Sequence, residues 1–105
     1  MPMWVRSYWD EGDETFFWEV RDDGWITRSV VHAGPGATVR AAASLDEVLA
    51  ARDHGGLAAV QAYEDQFGVA PQKAIVDWDF PHERIEPDEF ERLWRMARLA
   101  LSGHR

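Results

Sequence analysis

The chain has 105 residues, 46% of them hydrophobic and 29% charged, with a net charge of −8 and no cysteine. That length and balance specify a single domain over residues 1–105 with a real core, and they exclude a disordered chain. The missing cysteine excludes disulfides and thiolate chemistry, the acidic charge opposes nucleic-acid or anionic-membrane partners, and no apolar run approaches the ~18 residues of a membrane span.

Residues 3–9, rich in aromatic and β-branched types, form the first predicted strand. Alternation puts Trp4, Arg6 and Tyr8 on one face and Val5, Ser7 and Trp9 on the other. The acidic loop Asp10-Glu11-Gly12-Asp13-Glu14 follows, and residues 15–21 make the second strand. Asp22-Asp23-Gly24 is a turn, because Asp-Gly accepts the positive φ that a tight hairpin needs, and residues 25–32 return as the third strand. Two registers compete for this hairpin. A two-residue loop pairs Glu19 with Arg28, whereas a three-residue loop pairs Val20 with Ile26 and Trp18 with Arg28. The second is preferred, because it gathers Trp18, Val20, Ile26 and Val30.

Gly34-Pro35-Gly36 marks the next turn, and residues 38–43 a short fourth strand. Ser44 and Glu47 read as a capping box opening a helix over about 45–53, closed by Gly55 and Gly56. Leu57, Val60, Tyr63 and Phe67 recur at helical spacing in a second helix that Gly68 ends. Residues 69–84 read as irregular, with Pro71 and Pro81 as breakers and a brief edge strand at 74–78. The last helix opens at Pro87, lines one face with Phe90, Leu93, Trp94, Ala97 and Leu101, and stops at Gly103. Arg92, Arg95 and Arg98 form its solvated polar side, and Glu91–Arg95 and Asp88–Arg92 are favourable i,i+4 pairs. The sum is an α+β domain, a small antiparallel sheet of three or four strands packed by two or three helices, including a long C-terminal one.

Chemistry is sparse. No Gly-x-Ser-x-Gly elbow and no phosphate loop is present, so no catalytic residue, cofactor or metal is expected. The most chemical segment holds Asp77, Trp78, Asp79, His82 and Glu83, whose carboxylates and imidazole suit a small ligand, although their spacing matches no standard metal pattern. The tryptophans say more. There are six, and four of them (Trp4, Trp9, Trp18, Trp25) fall in the first 25 residues. A sheet covered by helices on one side leaves some of these rings exposed on the other. Trp9 and Phe17, beside Asp10, Glu11, Asp13 and Glu14, therefore form a candidate partner-binding surface.

Three pieces carry a resemblance: the strand Trp4-Val-Arg-Ser-Tyr-Trp9, the Asp-Gly hairpin from Glu19 to Val30, and the ending from His82 to Trp94. In these the chain resembles a family of small, stand-alone bacterial domains of uncharacterised function. Residues 40–80 depart from that pattern. The resemblance implies an α+β domain and brings no catalytic residues. Such domains are similar to acidic immunity proteins that neutralise toxins, an analogy of fold and composition. The arginine bias, with Lys73 the only lysine, and the many alanines point to a high-GC bacterial genome.

Three functional readings follow. The first is a non-enzymatic, immunity- or antitoxin-like protein that binds a basic protein partner through the acidic aromatic surface. The second is a small-molecule site or enzyme built on Asp77–Glu83, and the third a structural homodimer. The opening residues carry no signal-peptide pattern, so a cytoplasmic location is the expectation.

Overall fold

The computed structural model describes residues 1–102. Four strands, β1 (Met3–Trp9), β2 (Glu14–Val20), β3 (Ile26–Ala33) and β4 (Thr38–Ser44), form an antiparallel meander. Helix α1 (Leu45–Phe67) follows. An irregular strap over 69–82 then crosses the sheet, the two-residue strand β5 (Glu83–Arg84) pairs with β1, and helix α2 (Pro87–Ser102) ends the described chain. The sheet has five strands in the order β4-β3-β2-β1-β5. The sequence count of three or four falls short because β5 is two exposed residues with no apolar alternation to announce it. Residues 74–78 contribute only an isolated bridge, Trp25 to Ala74, in place of the expected edge strand. No described helix is long and apolar enough to cross a membrane.

The β2–β3 hairpin combines the two competing registers. Val20 pairs with Ile26 next to the turn, as the three-residue loop requires. A bulge then absorbs one residue, and beyond it Glu19 faces Arg28, Trp18 faces Ser29 and Phe17 faces Val30. The preferred pairing of Trp18 with Arg28 is therefore wrong, and Val30 turns to the opposite face from Trp18. Thr27 occupies the bulge, and its hydroxyl donates to the Glu19 carboxylate at 2.8 Å.

Helix α2 covers one face of the sheet. Phe90 and Ala97 are fully buried against Phe17, Val30 and Ala42, with Trp4, Leu93, Trp94 and Leu101 packed around them. The Phe90 ring alone contributes roughly 2–3 kcal/mol of burial. Charge is folded into this layer. Arg28 donates to Glu19 at 2.7 and 2.9 Å and pairs with Glu91 of α2, so Glu91 is not engaged in the expected helical pair with Arg95. Trp4 adds its indole N–H to Glu19 at 3.2 Å. Burial opposes ionisation of Glu19, but the hydrogen bonds from Arg28, Thr27 and Trp4 outweigh it and hold the carboxyl below its ordinary value of 4.5. The guanidinium of Arg28 stacks 5.0 Å from Phe90 and 5.1 Å from Trp94, and that of Arg98 lies 4.4 Å from Trp94 and 3.8 Å from Phe67.

Arg98 is thus not a solvated cation. It bonds the Ala42 carbonyl at 2.8 Å and Glu47 at 2.5 Å, closing the outer edge of β4. The capping box is half formed for the same reason. The Glu47 N–H donates to Ser44 Oγ at 3.3 Å, but the Glu47 carboxylate turns to Arg98 and to the Tyr63 hydroxyl, and that hydroxyl accepts the Ser44 N–H. The two helices expected over 45–67 meet in α1 at Gly56, whose backbone leaves the helical region with a φ of +65°, and beyond it Leu57 points outward. Gly68 stops α1 at a φ of +87°, where a Cβ would stand 2.5 Å from that of Ala41. Gly103, the expected stop of α2, lies outside the described residues.

Candidate functional site

Helix α1 reaches the second face of the sheet at its β4 end, where Leu45, Val48 and Val60 pack with Ala43, and the rest of that face carries no helix among the described residues. Strand alternation brings Trp9, Phe16, Trp18, Ser29 and Val31 to this side, and the strap covers only part of it. The strap is tied down at its centre. The Ile26 N–H donates to the Lys73 carbonyl at 3.3 Å, and the Ile75 N–H to the Gly24 carbonyl at 2.8 Å. Gly24 must be glycine here, since its φ is +93° and a Cβ would meet the Ile75 oxygen at 2.8 Å. Ile75, Trp78 and Phe80 pack down onto Val5, Trp18, Val20 and Ile26.

Where the strap stands off, a groove opens. Trp9, Phe16, Trp18 and Val31 face Val69, Pro71 and Lys73 across a cavity of about 450 Å³. A smaller cavity of about 290 Å³ shares Trp9, Trp18 and Lys73 and continues toward Phe80. The rings form a continuous set: Phe16 to Trp18 at 5.6 Å, Trp18 to Phe80 at 6.1 Å, and Phe80 to Trp9 at 6.3 Å. Trp9 stays 39% exposed and Val69 65% exposed, so the apolar lining is open to a ligand. The buried indole N–H of Trp18 has no acceptor among the described residues.

Glu11 and Glu14 form one rim of this groove, and Glu14 lies 3.6 Å from Arg40. They belong to the acidic turn between β1 and β2. The Asp13 N–H donates to the Asp10 carbonyl at 3.3 Å, and Asp13 takes a φ of +52°, which aspartate tolerates better than most residues. Its carboxylate accepts the Tyr8 hydroxyl at 3.0 Å, and that hydrogen bond raises the phenol's pKa.

Trp9, Glu11 and Glu14 therefore lie at one end of the groove, whereas Asp10 does not line it, Asp13 turns to Tyr8, and Phe17 does not join them. Phe17 is 6% exposed, lies under α2 on the opposite face and meets His32 edge-on at 5.1 Å. The pairing of Trp9 with Glu14 puts even-numbered β2 residues on Trp9's face and odd-numbered ones on the other. Phe16 and Trp18 are the aromatic neighbours of Trp9, a relation that the period-2 pattern contains once the turn length is fixed. Val31, Val69 and Lys73 carried no such signal, since they meet only in three dimensions.

The Asp77–Glu83 segment does not converge on one site. Asp77 accepts the Asp79 N–H at 3.0 Å, the His82 ring meets the Phe80 carbonyl at 2.8 Å, and Glu83 pairs with Arg6. Trp78 packs into the core cluster beneath the strap. Among the described residues, no three histidine, aspartate or glutamate side chains come together to hold a metal. No family model matches the chain, and no curated protein or solved structure does so either.

Proposed function

We propose that the chain is a non-enzymatic binding domain that holds a basic polypeptide segment in the aromatic groove. Trp9, Phe16 and Trp18 grip an apolar side chain, while Asp10, Glu11, Asp13 and Glu14 attract its basic neighbours. One observation carries this reading: an open cavity of about 450 Å³ walled by three aromatic rings and rimmed by the Glu11 and Glu14 carboxylates on the face opposite α2. Aromatic anchors supply most of the energy of such contacts, and complementary charge accelerates encounter. The immunity-like reading is the special case in which the bound polypeptide is a basic toxin.

Selection from a random-peptide display library tests the proposal. The expected winners pair an aromatic or large aliphatic residue with arginine or lysine. Trp9→Ala should weaken them at least about tenfold, equivalent to about 1.4 kcal/mol. Glu11→Gln with Glu14→Gln should slow association most at low salt. Winners without basic residues, or affinities unchanged in these variants, would overturn it.

A further inference from the structure

The far side of the groove carries the opposite charge from its acidic rim. Lys73, the only lysine in the chain, lines both cavities and forms no ion pair among the described residues. Its backbone is held to the start of β3 through the Ile26 N–H, so the side chain is rooted beside the groove. Beside it Trp18, 9% exposed, keeps an indole N–H with no acceptor among the described residues. An ammonium and an indole N–H are donors only, so this side calls for an acceptor from outside. On the opposite rim Glu11 forms no ion pair among the described residues and Glu14 lies only loosely, at 3.6 Å, from the exposed Arg40, so that rim calls for a cation. A fitting ligand is therefore bipolar, with an apolar body between an anionic and a cationic end.

We infer that the groove takes the C-terminal segment of its partner. The terminal carboxylate lies toward Lys73, the last side chain rests among Trp9, Phe16 and Trp18, and an upstream arginine or lysine meets Glu11 and Glu14. This rests on the groove being the binding surface. An internal segment offers the ammonium only neutral carbonyls, which bind it more weakly than a carboxylate does. A free amino acid holds its two charges one carbon apart and cannot set them on opposite rims with its side chain between. The Trp18 N–H is closed to solvent in the empty groove, so its use as a second donor requires the strap to shift.

The test uses tetrapeptides with arginine first and phenylalanine last, each as free acid and as C-terminal amide, titrated by calorimetry against the full chain. The free acid should bind at least tenfold tighter than the amide. Lys73→Met, a change at an exposed position, should bring the free acid down to the amide's affinity, weakening the acid far more than the amide. Equal binding of acid and amide would overturn the carboxylate assignment and leave the groove reading standing. A Lys73→Met variant that weakens both forms alike would do the same. Free phenylalanine binding as tightly as the tetrapeptide acid would replace the polypeptide by a small zwitterion. Binding of neither peptide would overturn the groove reading along with the assignment.

Discussion

The two faces of this sheet are built from similar residues and finished differently. Each carries tryptophan and phenylalanine beside charge. On the α2 side every such charge is placed: Arg28 and Arg98 are stacked between aromatic rings, Glu19 accepts from Arg28, Thr27 and Trp4, and the Trp4 indole N–H is satisfied. On the strap side the Trp18 N–H lacks an acceptor, Lys73 lacks an ion pair among the described residues, and Trp9 is left partly in solvent. A layer whose polar groups satisfy one another has less left to offer a ligand. A layer with unused donors and open rings has more. Stability should therefore concentrate on the first face and recognition on the second.

Cavity formation gives the sharpest contrast. Phe90→Ala removes a fully buried ring from the α2 layer and should cost about 3–5 kcal/mol, against about 1 kcal/mol for Trp9→Ala. Urea unfolding of the two variants measures this, and equal losses would break the comparison. Arg28→Ala comes next. It leaves the Glu19 carboxylate without its main partner, but both side chains are 19% exposed, so the loss should be about 2–3 kcal/mol. A change below about 0.5 kcal/mol would mean that the network is ornamental.

The smallest effect is the pH response, and it too belongs to the α2 side. Glu19 is held below 4.5 in the folded chain. A depressed carboxyl contributes stability that is present above its ordinary value and lost as pH falls through the folded one. Tyr63 runs the other way: burial and its hydrogen bond to Glu47 raise its hydroxyl from 10.0 to about 12, so its contribution is lost as pH rises through that window. Thermal unfolding across pH should show both declines in the wild type. Arg28→Ala should flatten the acid one and Trp9→Ala should leave both in place.

The sequence spoke most clearly where structure is local. The first four strands and the last helix lie within a residue or two of their expected positions, because alternation, Asp-Gly and Pro87 are written in short windows. The hairpin needed more, since a one-residue bulge at Thr27 satisfies two registers that looked exclusive. The irregular character of the strap was legible from Pro71 and Pro81, but its path and strand β5 were not, because their geometry is set by the surface they cross. Of the residues grouped as a surface, Trp9, Glu11 and Glu14 line one groove, whereas Asp13 bonds Tyr8 and Phe17 was grouped with them through nearness in the chain. A difference of one residue in a strand moved it to the other face.

The central claim, one face for stability and the other for binding, is tested most directly by the tryptophan indole N–H resonances in ¹⁵N-labelled protein. Titration with the arginine- and phenylalanine-containing tetrapeptide should shift the Trp9 and Trp18 signals and leave those of Trp4 and Trp94 in place. Shifts at Trp4 and Trp94 with Trp9 and Trp18 unmoved would put recognition on the face assigned here to stability, and would contradict the account.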